Sequence, residues 1–217
     1  MLISLELGKQ RLMVFKKTKN QVFYFGGWTN IIGDNATGKT AMLTMIRQYE
    51  GNDLIYNGEY KLDQGGSIKY KLSFDKPTRV IVYDPSEITD KYNRNNNFLY
   101  GVMDPQWIAD LCYSNYSQLE IESMYFSYFF KKHKQTLQDN SVDTIILFDE
   151  PERSASLLSQ QFIFKSIKTY ADQPHIQVIM ATHSIIAMTM SYCVELCPKY
   201  KSKLAKLVSK IAKDLDN

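Results

Sequence analysis

The residues best suited to chemistry are Gly33-Asp34-Asn35-Ala36-Thr37-Gly38-Lys39-Thr40, which fit the pattern G-x-x-x-x-G-K-[ST]. The glycines let the backbone turn tightly, so that its N–H groups converge on phosphate oxygens. Lys39 is expected to reach the β- and γ-phosphates, and the Thr40 hydroxyl to ligate Mg²⁺. Thr40–Gln48 contains no Gly or Pro and reads as a helix, whose positive N-terminal end adds to the pull on an anion. The short apolar run Trp28–Ile32 ahead of the loop reads as a strand. Strand, glycine-bearing loop and helix in that order predict a site for the phosphates of ATP with Mg²⁺.

A second group follows far along the chain. Thr144-Ile145-Ile146-Leu147-Phe148-Asp149-Glu150-Pro151-Glu152 is an apolar run that ends in acids. A buried strand delivers its C-terminal residues to the ligand crevice of an open α/β sheet. Successive strand residues point to opposite faces, so Asp149 is expected to face Mg²⁺ through water while Glu150 orients and deprotonates an attacking water. A third group repeats the plan with another ending: Gln177-Val178-Ile179-Met180-Ala181 runs into Thr182-His183-Ser184. His183 there is placed to donate a hydrogen bond to a γ-phosphate and to sense its loss. The expected catalytic residues are therefore Glu150, His183 and Lys39, and the expected metal contacts Thr40 and Asp149. His133 and His175 lie in polar stretches and are expected at the surface.

The elements that must position these groups alternate between two kinds. Leu2–Leu7, Arg11–Lys16 and Gln21–Phe25 read as short strands, with Gly26-Gly27 ending the last. Residues 50–85 alternate apolar and polar side chains, with turn signals at Asn57-Gly58 and Gly65-Gly66, and predict an antiparallel β lobe. An Asn-rich loop covers 92–98. Residues 100–140 are rich in Tyr, Phe and Leu and predict a helical lobe. Thr144–Phe148 and Ile176–Ala181 are continuous apolar runs, as in buried parallel strands. Helices are expected over Ser154–Tyr170 and from Ser184 onward. The fold class is thus α/β, a mostly parallel core sheet carrying an antiparallel β lobe and a helical lobe in one domain over 1–217.

Composition narrows the function classes. The chain has 217 residues, 44% hydrophobic and 23% charged, as in an ordinary globular domain. Three cysteines (Cys112, Cys193 and Cys197) without a C-x-x-C pair, and three dispersed histidines, argue against a disulfide framework or a zinc site. No secretory leader is evident, and no run reaches the roughly 18 apolar residues of a membrane span, so a cytoplasmic protein without membrane insertion is expected. The net charge of +3 is uneven: residues 199–217 hold six lysines against two aspartates. That tail predicts a basic amphipathic helix with Leu204, Leu207, Val208, Ile211 and Leu215 on one face. Either the stripe packs on the domain with the lysines solvated, or the tail is a docking surface for an acidic partner or a nucleic-acid backbone.

Taken together these groups resemble the ABC ATPase superfamily of P-loop NTPases, and most closely its stand-alone bacterial predicted ATPases, relatives of SMC-like and RecF-like heads. Gly33–Thr40 corresponds to Walker A, Ile145–Glu152 to Walker B and Ile179–Ser184 to the histidine switch. The resemblance implies ATP sandwiched between two heads, as an ATP-dependent homodimer or with a hetero-partner, and hydrolysis coupled to a protein effector or to nucleic acid. It implies a signature segment before Walker B, for which Tyr116-Ser117-Gln118-Leu119-Glu120 is the candidate, with Ser117 and Glu120 as its polar members and Leu119 where glycine is expected. Strand Arg79–Tyr83 ends in Asp84-Pro85 without a Q-loop glutamine, and Arg153–Leu157 fills the D-loop position loosely. These departures imply slow hydrolysis or a partner that supplies the missing contacts. Three roles stay open: a soluble ATPase switch in DNA maintenance or defence against mobile elements, the nucleotide-binding subunit of a transporter, and a non-hydrolysing ATP-gated scaffold. No N-K-x-D element supports a GTPase, and the stretch from Thr40 to Asp149 has no room for long coiled-coil arms.

Overall fold

A computed structural model describes residues 1–8, 22–51, 53–62, 65–83, 126–153 and 155–215, without the side chains of 211, 212, 214 and 215. The described chain is mixed α/β and builds two sheets. The first is antiparallel: β1 (Leu2–Leu7), β2 (Val22–Tyr24), β4 (Ile55–Lys61) and β5 (Ser67–Phe74) in the order β2-β1-β5-β4. The second is parallel: β3 (Trp28–Ile32), β6 (Thr78–Tyr83), β7 (Asp143–Asp149), β8 (Ile176–Ala181) and β9 (Tyr192–Glu195) in the order β6-β7-β8-β3-β9. The helices are α1 (Lys39–Arg47), helical residues 126–132, α2 (Lys134–Gln138), α3 (Leu157–Ala171), α4 (Ile185–Met190) and α5 (Tyr200–Leu215).

The period-2 geometry of a strand splits the parallel sheet into two faces. Ile145 and Leu147 of β7, with Ile179 and Ala181 of β8, face a core shared with α1 and with Leu2, Leu5, Ile68, Leu72 and Phe74 of the antiparallel sheet. Ile146 and Phe148, with Ile176, Val178 and Met180, face the other way, onto Phe129, Leu137, Phe164, Ile167 and Ala187. Both faces are covered, which is why β7 and β8 read as unbroken apolar runs. Helix α1 lies between the two sheets, and its Met42, Met45 and Ile46 are fully enclosed. Gln177 shares the parity of Ile179 and so faces the antiparallel sheet. There its amide accepts from Leu2 N at 2.8 Å and donates to Leu2 O at 3.0 Å and Gly26 O at 2.9 Å. A fully partnered buried amide thereby joins the sheets.

Three expectations need correction. The antiparallel sheet is not the contiguous lobe 50–85: it takes β1 and β2 from the start of the chain, and β6 leaves it to pair in parallel with β7, Thr78 opposite Asp143. Buried Ile81, with Tyr83, belongs to the core beneath the parallel sheet, so that edge offers β6 more burial. Asn57-Gly58 is not a turn. It sits inside β4, with Gly58 opposite Tyr70 of β5. A Cβ on Gly58 would lie 2.2 Å from the Tyr70 ring, and that ring crosses the glycine to bring its hydroxyl 2.7 Å from Gln48 Oε1. The real turn is Gly65-Gly66, both at positive φ. His133 and His175 are half-buried: the His133 ring packs 4.8 Å from Phe129, and His175 Nε2 is 3.0 Å from the Leu137 carbonyl. Burial, with Lys132 beside it, holds His133 below the usual histidine range.

Helix α3 starts at Leu157, because the Ser156 hydroxyl accepts from Ser159 N at 3.2 Å and caps it. The expected strand Arg11–Lys16, the Asn-rich loop, Asp84-Pro85 and the candidate signature with Ser117, Leu119 and Glu120 lie outside the described residues. Of the expected helical lobe the described part is 126–140, with Phe130 stacked on Tyr170 of α3 at 4.2 Å.

Candidate phosphate-binding and carboxylate–histidine site

In the parallel sheet the chain leaves β3 for β6 at one edge and leaves β8 for β9 at the other. The C-terminal ends of β3 and β8 are therefore a switch point, the place where open α/β sheets form a ligand crevice. Backbone hydrogen bonds continue past the strand ends. Thr182 N donates to Ile31 O at 3.2 Å and Glu150 N to Ala181 O at 2.9 Å, so three of the loops that matter hang from one rigid rim.

Gly33–Gly38 forms the turn between β3 and α1, and Lys39 and Thr40 open the helix. Gly33 leaves no room for a side chain: a Cβ there would lie 2.7 Å from Thr37 Oγ1 and 3.3 Å from Leu196 Cβ. Asp34, Asn35 and Ala36 form the exposed crest, with Ala36 at φ 57°, and buried Thr37 donates to the Asp34 carbonyl at 2.7 Å. Gly38 stands at φ 97° as the residue before α1, a conformation that favours glycine. Lys39 is only 6% exposed, and its ammonium donates to the carbonyls of Gly33 and Asp34, each at 3.2 Å. Burial pushes this ammonium below its ordinary pKa, while Glu150, Asp149 and Asp34 pull it back up. A polyphosphate beside Lys39 would add to the same upward pull.

Asp149 ends β7 on the side of α1, in the parity of Ile145 and Leu147. Thr40 Oγ1 donates to Asp149 Oδ1 at 3.3 Å. Among the described residues no cluster of three or more His, Cys, Asp or Glu side chains is placed to hold a metal ion. Mg²⁺ fits the hydroxyl and carboxylate here all the same, because it is typically bound by one or two protein oxygens, phosphate oxygens and waters.

Strand alternation does not aim Glu150, since Glu150 lies one residue past β7 with φ 46°. This left-handed, strained backbone turns its carboxylate to His183, whose Nε2 lies 3.2 Å from Glu150 Oε1. The approach is off the line of a hydrogen bond, and Nε2 is buried without a hydrogen-bond partner. The structure thus brings Lys39, Thr40, Asp149, Glu150 and His183 to the ends of three adjacent strands.

Sequence reasoning gave no role to Glu152. It is 6% exposed, and its Oε1 accepts from Thr182 Oγ1 at 2.5 Å and from His183 N at 2.9 Å, while Oε2 has no partner. Burial pushes its carboxyl above the usual range, against those two hydrogen bonds. The signal in the sequence was a third acid two residues beyond Glu150, after Pro151.

No protein-family model matches the chain, and no curated protein matches it in sequence.

Proposed function

We propose that this chain binds ATP with Mg²⁺ and hydrolyses it, as an ATPase switch of the ABC class of P-loop NTPases. One observation carries the reading: a glycine-bearing loop with a buried lysine, a Thr40–Asp149 contact and a Glu150–His183 contact meet at one switch point of a parallel sheet. Phosphoryl transfer asks mainly for positioning and electrostatic stabilisation. The loop N–H groups and Lys39 hold the phosphates. Thr40 and Asp149 would hold Mg²⁺, which would supply positive charge to offset that of the phosphates. Glu150 accepts the proton of the attacking water, and His183, a third exposed beside it, meets the γ-phosphate. The Glu150–His183 contact favours a hydrolysing switch over a scaffold that only binds.

The role proposed is ATP-dependent pairing of two heads, as a homodimer or with a hetero-partner, that serves a protein effector or nucleic acid in a cytoplasmic setting. Among the described residues no helix is long and apolar enough to cross a membrane. The test is Glu150→Gln. It keeps Mg²⁺-dependent ATP binding, loses turnover by about 100-fold or more, and accumulates as a dimer by light scattering when ATP is added. Turnover near that of the unmodified chain would remove Glu150 from the reaction. Lys39→Ala weakens ATP binding by about 1.5–3 kcal/mol, the worth of a hydrogen bond to a charged group. Unchanged affinity there overturns the phosphate-loop assignment.

A further inference from the structure

The Glu150–His183 contact needs an explanation, because neither residue is held in place by its own strand. Glu150 lies past the end of β7 and His183 two residues past the end of β8. Besides the bond from Glu150 N to Ala181 O at 2.9 Å, what ties the two turns together is a ring of hydrogen bonds around the Glu152 carboxylate. Its Oε1 accepts from the Thr182 hydroxyl at 2.5 Å and from His183 N at 2.9 Å. The Thr182 hydroxyl in turn accepts from Ser184 N at 2.9 Å. On the other side, the Glu152 carbonyl accepts from Ala155 N at 2.9 Å, and Gln160 of α3 donates to the Ala155 carbonyl at 3.0 Å. Ser184 Oγ closes the ring by donating to Gln160 Oε1 at 2.7 Å.

A buried carboxylate is expensive unless its hydrogen bonds are satisfied, so a near-enclosed glutamate with one unpartnered oxygen calls for a role beyond packing. A buried polar group of this kind can serve to specify one geometry, and this one sits two residues from Glu150 and accepts from the backbone N of His183.

We infer that Glu152 is a positioning residue that holds the histidine turn against the carboxylate turn, and so sets His183 beside Glu150. It touches neither nucleotide nor water in this scheme. It acts through His183, and Gln160 of α3 and Ser184, which caps α4, brace it. The device also links the site to the start of α3, where Leu157, Leu158 and Phe162 are 65–72% exposed. Its catalytic consequence rests on the ATPase reading above; its geometric core does not.

The experiment has a nucleotide-free arm and a turnover arm, both on the full chain. With only three histidines, the His183 imidazole proton resonances are readily assigned. In the unmodified chain Glu150→Gln shifts these resonances. In a Glu152→Ala background Glu150→Gln no longer shifts them, and the His183 amide exchanges with solvent at least about tenfold faster, since its acceptor is gone. Glu152→Gln, which keeps an oxygen in the acceptor position, restores both signals. If Glu152→Ala fails to fold, Thr182→Val decides, because it removes one clamp bond at nearly constant volume. In the turnover arm Glu152→Ala lowers kcat by roughly ten- to a hundred-fold with KM for ATP within about twofold, and adding it to His183→Ala lowers kcat no further. His183 resonances that respond to Glu150→Gln in every background overturn the inference, as do losses that add independently. If the unmodified chain turns over no ATP, the proposed function fails by itself, and the resonance and exchange results still decide the role of Glu152.

Discussion

Glu150 and Glu152 are close in the chain and opposite in environment. Glu150 is a third exposed and strained at φ 46°, whereas Glu152 is almost enclosed. Burial raises the Glu152 carboxyl above its ordinary 4.5, which has a consequence for folding. Below that value folded and unfolded chains both carry the proton. As pH rises, the unfolded chain releases it first, so the stabilising contribution of Glu152 fades through its raised folded value. Urea unfolding of the unmodified chain and of Glu152→Gln across about pH 4 to 8 checks this. The expected result is a stability difference that moves in favour of the Gln form as pH rises and then levels. A difference constant with pH would mean that burial does not raise this group. Lys39 has the complementary character, a buried cation held by two carbonyls of its own loop.

At the scale of elements, the sequence carried periodicity well and pairing poorly. The burial pattern of β5 alternates as its residues do, whereas β1 breaks step at the register shift between Leu2 and Ser4. β7 and β8 are apolar throughout because both faces of their sheet are covered. No local signal told that β6 would leave its antiparallel neighbours, since an edge strand chooses its partner by the core it can join. Gly58 shows the same limit. Asn-Gly is a strong turn signal, yet here the glycine provides room for the Tyr70 ring to reach Gln48. Gly58→Ala should therefore displace that ring and lower stability by about 1–3 kcal/mol, read from the urea midpoint. The proposed ATP binding should be retained, because β4 contributes nothing to the rim that carries Lys39 and Asp149. Unchanged stability would mean that the ring moves aside freely.

Over the whole molecule, charge and apolar surface are distributed unevenly. Helix α5 carries exposed lysines, and its Leu207 and Val208 are 53% and 39% exposed, so at these positions the apolar stripe is not packed on the domain. Reversal of Lys203, Lys206 and Lys210 to Glu changes only exposed side chains and should alter stability by no more than about 0.5 kcal/mol, with the proposed ATP binding intact. Calorimetry and nucleotide titration check this, and a large loss would show that the helix is part of the fold's support. Any nucleic-acid binding by so few lysines would be weak and steeply salt-dependent, and this triple change should abolish it.

From its residue types and spacing alone, the chain declared an α/β fold with buried strands. It also declared the loop Gly33–Thr40 and two further strand ends bearing Asp149-Glu150 and His183. Such features are local: a glycine pattern, an apolar run and the residue that follows it are contiguous, and their physics does not depend on what packs nearby. The tertiary structure alone decided which strand ends are neighbours. It set β8 between β7 and β3, brought Thr40 to 3.3 Å from Asp149 and His183 to 3.2 Å from Glu150, and turned Glu152 inward to hold the histidine turn. Those contacts join residues far apart in the chain. Strand order and burial, which no short stretch of sequence specifies, are what bring them together.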